Sequence, residues 1–437
     1  MRVEQELARR ACRFLGEAVV FGIYDRSQNL FLVIDDKAAA DILDGRLQID
    51  FAAEPPPQGA HAIALNRLRG RVRRAMRTNV TVYQVFQLLR GRRYTREEIR
   101  QIQQEEFGSP PMPAETPASA KRVEKLSSVS RGPAKLGAAS CIISVGMDWQ
   151  YKDMRSIWTL KQSLGFRYCP MIHDLIPLSF PHFVSPDYDT FIADYLGELI
   201  WVADLAMCNS QSTRQDWMRF SSENGVDIPS HVFPLGCDLP AAPAQTALPP
   251  SLKEKRFALF VSTIEPRKNH RVLYDAWDRC IRSKTVDAER DRLVFVGRVG
   301  WAVNDLMHEL SANPATRDSI IVLNDVSDDL LATLYRDCAF VVFPSFSEGY
   351  GIPVAEALAY GKPCISSDAG ALREIGSEFV LRIDPKDTLR WAETIARYLA
   401  HPNDLIDWGR RIEAEHRPMT WDTAADRFFS TVKDAVS

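Results

Sequence analysis

The feature that most constrains this chain is a recurrence of short, uninterrupted apolar runs separated by stretches of helical period. Cys141-Ile-Ile-Ser-Val145, Cys169-Pro-Met-Ile-His173 and Leu205-Ala-Met-Cys208 read as strands, with helices over 154–164 and 188–203 between them. Phe257-Ala-Leu-Phe-Val261, Leu293-Val-Phe-Val296, Ile320-Ile-Val-Leu323, Phe340-Val-Val-Phe343 and Pro363-Cys-Ile-Ser366 continue the alternation. A strand solvated on one face alternates apolar and polar residues, whereas these runs are apolar throughout and so are covered on both faces. The pattern predicts an α/β fold of parallel sheets flanked by helices, with ligands bound beyond the carboxyl ends of the strands.

A chain of 437 residues is long for one core, so two domains are expected. Two Pro/Ala-rich stretches break the pattern. The one near 108–121 reads as a loop inside the first half, and the one at 239–252 as a linker. The expected division is therefore an N-terminal domain over 1–238, a C-terminal domain over 253–405, and a closing helical stretch, 406–437, that returns to the first domain. Near the N-terminus, 18–24 and 30–34 read as a hairpin or adjacent strands, and 64–89 as helical.

The net charge of −3 gives no reason to expect nucleic acid as a partner. Eight scattered cysteines, none in a C-x-x-C spacing, argue against a zinc site or a disulfide framework and suit a reducing cytoplasm. No run approaches the ~18 apolar residues of a membrane span, and Met1-Arg-Val-Glu-Gln-Glu-Leu-Ala is a charged helical pattern, not a signal peptide. A cytoplasmic protein is the expectation. Arg67, Arg69, Arg71, Arg73, Arg74 and Arg77 read either as a solvated helix face or as a peripheral contact with an anionic membrane or a charged acceptor. G-x-G-x-x-G and the P-loop pattern are both missing, so neither a dinucleotide fingerprint nor a P-loop is in play.

Three strand ends carry chemistry. After Phe343 comes Pro344-Ser-Phe-Ser-Glu348-Gly349-Tyr350-Gly351-Ile352-Pro-Val-Ala-Glu356. Gly349 and Gly351 let the backbone approach a ligand, and the helix opening near Ile352 aims free N–H groups at the loop, which favours a phosphate. Glu348 and Glu356 can both face the cleft, one toward a sugar ring and one toward ribose hydroxyls. Within Phe260-Val-Ser-Thr263-Ile-Glu-Pro-Arg267-Lys268-Asn-His270, Arg267 and Lys268 put two cations at a helix start, where the dipole disfavours them; an uncompensated pair there suggests an anion to hold. Met171-Ile-His173-Asp174 ends a strand of the first half; His173 is read as meeting donor or acceptor hydroxyls and Asp174 as orienting it.

The 348–356 stretch closely resembles the E-x7-E signature of retaining GT-B glycosyltransferases, the group 1 or family 4-like enzymes that include bacterial mannosyltransferases. Glu265-Pro-Arg-Lys-Asn269 is similar to a phrase of the same family. The resemblance covers roughly 140–430. It implies two Rossmann-like domains facing across a cleft, the first on the acceptor side and the second binding the nucleotide sugar. It further implies metal-independent, cofactor-free transfer of a hexose, mannose or a 6-deoxyhexose, from a GDP-linked donor with retention. The acceptor is a growing surface polysaccharide or lipid-linked glycan. Glu348, Arg267, Lys268, His173 and Asp174 take the catalytic places. Glu356, Gly349, Tyr350, Gly351, Ile352, Thr263, Asn324 and Val326 line the donor, the last two holding the base largely through backbone. Gly146 and Trp149 fall near the acceptor, and Trp421 anchors a C-terminal helix crossing back to the first domain.

Asp187-Tyr188-Asp189 has the D-x-D form that glycosyltransferases of another fold use for a metal; after Ser185-Pro186 it reads as a helix start instead. Family members open with a strand and a glycine loop before a helix similar to Arg2-Val3-Glu4, so that first strand is expected to be missing here. Two other readings stay open: a sugar-nucleotide epimerase of the same fold, and a non-catalytic scaffold in a polysaccharide assembly complex.

Overall fold

The computed structural model describes residues 2–16, 19–50, 122–146, 148–185, 188–238, 246–376 and 378–436. The helix expected at 64–89, the loop near 108–121 and the arginines from Arg67 to Arg77 lie outside the described residues. Two compact units form, one from Met1–Val20 with Ala134–Ser437 and one from Phe21–Pro133. The first opens with helix α1 (Arg2–Leu15).

The smaller unit contains β1 (Gly22–Asp25) and β2 (Leu30–Ile34), paired antiparallel as the apolar runs suggested, with β2 also antiparallel to β5 (Ser130–Pro133). Helix α2 (Asp36–Leu43) is capped by Asp35, and β3 (Leu47–Asp50) pairs parallel with β4 (Arg122–Lys125). Ile34, Ala38, Ala39, Leu47, Ile49 and Val129 form its core. Sequence periodicity gave no hint that 21–133 is compact in its own right.

The larger unit holds two wholly parallel sheets. In the first, β6 (Cys141–Ser144), β7 (Arg167–Ile172), β8 (Ala206–Cys208) and β9 (Ser230–Val232) lie in chain order. They are joined by α3 (Met154–Leu164), α4 (Tyr188–Val202) and α5 (Gln211–Glu223). The second contains β10 (Arg256–Val261), β11 (Asp291–Val296), β12 (Ile320–Leu323), β13 (Phe340–Phe343), β14 (Cys364–Ser367) and β15 (Val380–Ile383). Its order is β12-β11-β10-β13-β14-β15. Helices α6 (His270–Arg282), α7 (Asn304–Ala312), α8 (Asp328–Asp337), α9 (Ile352–Ala359) and α10 (Thr388–Ala400) connect or follow these strands. Helices α11 (Pro402–Glu415) and α12 (Trp421–Val436) close the chain. In chain order 239–252 falls between β9 and β10, and of it 246–252 are described.

The second sheet winds outward in both directions from β10 and β13. That arrangement opens a crevice where the strand order reverses, the place where doubly wound sheets bind ligands. β13 is buried throughout and β10 over its central four residues, which explains their unbroken apolar sequence. Phe257, Phe260, Phe343, Trp277 and Trp391 are among the side chains filling the core. Trp421 opens α12. It is buried, its backbone N–H donates to Asp238 Oδ1 at 2.9 Å, and a Cβ on Gly236 would lie 2.5 Å from its Cα. Beyond it α12 packs along α1, with Phe428 edge-on to Phe233 and Arg10 on Asp422 at 2.6 Å.

Candidate active site

The loops leaving β10 and β13 flank the point where strand order reverses, and they carry the two strongest motifs. After β10 the chain makes a 3-10 turn, Pro266–Lys268, and Asn269 then adopts φ 60°, ψ 40° to start α6. Asn269 is a good residue for that left-handed conformation, and its amide donates to the carbonyls of Pro344 at 3.2 Å and Pro385 at 2.7 Å. The turn is thereby fixed to the loop after β13, where Phe346 N–H donates to Arg267 O at 2.9 Å.

In this frame Lys268 Nζ sits 2.6 Å from Glu348 Oε1 and Arg267 Nη1 sits 3.0 Å from Glu348 Oε2. Arg267 also donates to Ser347 O at 2.7 Å and to Glu265 Oε1 at 2.9 Å. The cation pair is thus not uncompensated, as its place before a helix suggested: Glu265 and Glu348 balance it, and the four charges sum to zero. Glu265 stands in the recognised phrase, but only the fold shows it turned inward beside Arg267. Burial alone would raise the Glu348 carboxyl; Lys268 and Arg267 outweigh it and hold the group at about 2. Burial likewise pushes Glu265 up against the pull of Arg267 and Lys268. It also opposes the charge on Arg267, which Glu348 and Glu265 more than restore.

Because the folded Glu348 titrates below its ordinary 4.5, its stabilising contribution is present above that pH and is lost as pH falls toward 2. The contribution is on the order of 3 kcal/mol. Thermal melts between pH 5 and pH 2 should therefore fall more steeply for the wild type than for Glu348→Gln. Parallel profiles would show that Glu348 is not held by the two cations.

The remainder of the loop is set by close approach. Gly349 lies against the turn after β7: a Cβ there would stand 2.2 Å from His173 O and 3.0 Å from Asp174 Cβ. Gly351 adopts φ 116° as the N-cap of α9, and a Cβ on it would meet Leu372. Tyr350 donates its hydroxyl to Leu235 O at 3.0 Å, and Ile352 opens α9. Glu356, one turn inside α9, is buried and accepts the Tyr335 hydroxyl at 2.9 Å. Thr263 lies in the loop after β10. Asn324 and Val326 lie in the turn after β12, Asn324 exposed and Val326 half-buried against the core.

His173 is brought to the same place as Glu348, Arg267 and Lys268, by way of Gly349. Its Nε2 meets the Val145 carbonyl at 3.2 Å, and burial lowers its pKa against the opposing pull of Asp174. Asp174 does not orient that ring through a hydrogen bond; its carboxylate instead accepts from Ile176 N–H at 3.0 Å and so closes its own turn. A short Asp side chain reaches a backbone amide two residues on more readily than its neighbour's ring. His173, Asp174, Glu265 and Arg267 all border one cavity of about 200 Å³, walled by Trp149, Tyr188, Tyr195 and Trp301. Trp149 stands edge-on to His173 with ring centres 6.4 Å apart. Gly146 lies beside the Glu4 carboxylate of α1. Asp189 falls in the first turn of α4, where an acid suits the dipole, and Asp187 lies outside the described residues. Among the described residues no cluster of three metal-ligating side chains occurs, and no helix is long and apolar enough to cross a membrane.

Residues 246–414 match the family described as Glycosyl transferases group 1. The chain is 27% identical over 285 residues to the serotype-specific mannosyltransferase WbdA of Escherichia coli, a match covering 61% of this chain and 33% of that protein. It is 29% identical over 220 residues to O-antigen chain mannosyltransferase B of the same species, covering 49% and 56% of the two chains. The chain thus spans about a third of the length of WbdA. Among solved structures, sucrose-phosphate synthase from Thermosynechococcus elongatus superposes with a TM-score of 0.52 at 21% identity, covering 67% of this chain and 73% of that one. Anabaena HepE, in complex with UDP and glucose, gives 0.55 at 15% identity over 89% and 99%. These structures share the fold: parallel sheets in the GT-B arrangement.

Proposed function

We propose that this chain, whose residues 246–414 match the family of group 1 glycosyl transferases, moves a hexose, with retention and without a metal or cofactor, from a nucleoside diphosphate sugar to a growing surface polysaccharide or lipid-linked glycan. The observation that carries this reading is the convergence of Lys268, Arg267 and Glu348 at the reversal point of a doubly wound sheet, against His173 of the other sheet. A departing diphosphate carries charge that fixed cations stabilise in a site shielded from water. Lys268 has three N–H donors and Arg267 five, so both keep donors for phosphate oxygens while holding Glu348. The N-terminus of α9, reached from Glu348 through the same loop, adds partial positive charge.

Glu348 then meets the sugar, Glu356 the ribose, and the turn with Asn324 and Val326 the base. His173 addresses donor or acceptor hydroxyls from across the cavity. The bond from the anomeric carbon to the diphosphate oxygen breaks as the bond to the acceptor oxygen forms, and the leaving phosphate takes the acceptor's proton. Mannose is the sugar we favour, because the E. coli relatives are named mannosyltransferases, and with it a GDP-linked donor.

Thermal-shift screening against GDP, UDP, dTDP and ADP tests the reading. A ligand that binds only the folded state adds about 2.7 kcal/mol at a hundred times its Kd. A rise in Tm selective for GDP, followed by transfer of mannose from GDP-mannose with its anomeric configuration kept, is the expected result. A selective rise with UDP reassigns the donor, and no rise with any of the four overturns the transferase in favour of a scaffold.

A further inference from the structure

We propose that Glu374 is a positioning residue for this site, acting through helix α5. The proposal rests on the transferase reading for its effect on turnover. Glu374 ends the 3-10 turn Gly370–Glu374 that follows β14. Its carboxylate accepts from Gln211 N–H through Oε2 and from Ser212 N–H through Oε1, both at 2.7 Å. Those are the first two amides of α5, and the third, Thr213 N–H, is taken by the N-cap Ser210 at 3.0 Å. The N-terminus of a helix belonging to the first sheet is therefore completed by a carboxylate belonging to the second. An anion there is favoured by both the free N–H groups and the dipole.

What α5 carries gives this bond its consequence. Thr213 Oγ1 donates to Gly349 O at 3.2 Å and lies 3.4 Å from His173 O. Asn209, two residues before the helix, donates its amide to His173 O at 2.8 Å. Both loops of the site are thus tied to the start of α5. The turn that bears Glu374 is in turn seated under the same loop. A Cβ on its first residue, Gly370, would stand 3.4 Å from Glu348 O, and Leu372 fills the space beside Gly351. Glu374 closes this circuit: it fixes the start of α5 relative to the Glu348 loop, so that Asn209 and Thr213 hold His173 and Gly349 in contact. A misplacement of about 1 Å at reacting groups costs on the order of 100-fold in rate.

The test compares wild type, Glu374→Ala and Glu374→Gln, the last of which keeps one acceptor oxygen. Glu374 is exposed, so loss of folding is not the expected cause of any change. We expect kcat to fall about 10- to 100-fold in Glu374→Ala and less in Glu374→Gln. The Tm rise produced by the donor nucleotide should stay as in wild type, because the nucleotide contacts are untouched. Hydrogen exchange, which requires no turnover, should speed up at 211–213 and also at 173–176 and 349–351. Faster exchange confined to 211–213, or kcat within about threefold of wild type, overturns the positioning role and leaves a helix cap alone. A wild type that transfers no sugar from any donor defeats the transferase reading instead, and the exchange pattern still decides whether Glu374 holds the two loops.

Discussion

Lys268→Ala should abolish the Tm rise given by the donor nucleotide and lower transfer by about 100- to 1000-fold, the loss typical of removing one fixed group that stabilises transition-state charge. The reason lies in how few charges share the site. Lys268 and Arg267 are balanced by Glu348 and Glu265, so a bound diphosphate depends on both cations and on the α9 N-terminus. Without Lys268 the remaining Arg267 faces two carboxylates, and the local charge turns negative where an anion must bind. Glu348 also loses its closest partner, and truncating one member of a buried pair costs about 3–5 kcal/mol. Activity must therefore be measured well below the variant's own Tm. The nucleotide-dependent shift separates the two effects, since it compares each protein with itself. Transfer within about threefold of wild type in folded Lys268→Ala would show that the diphosphate is held elsewhere.

How far the sequence disclosed this site depends on the range of each interaction. Helix α3 was legible to the residue because both of its ends are local: Asp153 accepts from Ser156 N–H and Gly165 adopts φ 78°. Strands β7, β8, β10, β11, β13 and β14 were legible because burial on both faces leaves no polar alternation, whereas β9, with two exposed residues, and β15, half-buried at its centre, were not predicted. The placing of Glu348, Arg267 and Lys268 beyond strand ends was legible because they follow such strands directly. The pairing of Glu265 with Arg267 was not, since a carboxylate near a helix start reads equally well as a solvated cap. Asp174 was assigned to its neighbour His173, yet its nearest amide two residues on takes it. Glu374 left no local trace at all, because its partners lie 162 and 163 residues away and are backbone groups common to every helix. The compact unit over Phe21–Pro133 was equally hidden. Its strands pair partly antiparallel and its two parallel partners are far apart in the chain, a pattern that hydrophobic period alone does not delimit.

Gly349→Ala should lower kcat by about 100-fold while leaving nucleotide binding close to wild type. Glycine is required here by space rather than by backbone angle. The atoms a Cβ would strike are the His173 carbonyl oxygen at 2.2 Å and Asp174 Cβ at 3.0 Å. Neither is the end of a flexible side chain that turns aside, so one loop must shift, at a cost of about 1–3 kcal/mol. The Glu348 loop is held by Lys268 and Arg267, which reside in the loop after β10, so the His173 turn yields and moves away from Glu348 while the two cations stay in place. Gly197→Ala provides the control: it lies within α4 with nothing inside 4 Å, and it should leave kcat unchanged and stability equal or slightly higher. Should Gly349→Ala retain kcat within about threefold, the two loops need not touch during turnover. The close contact would then describe the resting protein, and the chemistry would depend on the Lys268, Arg267 and Glu348 cluster without His173.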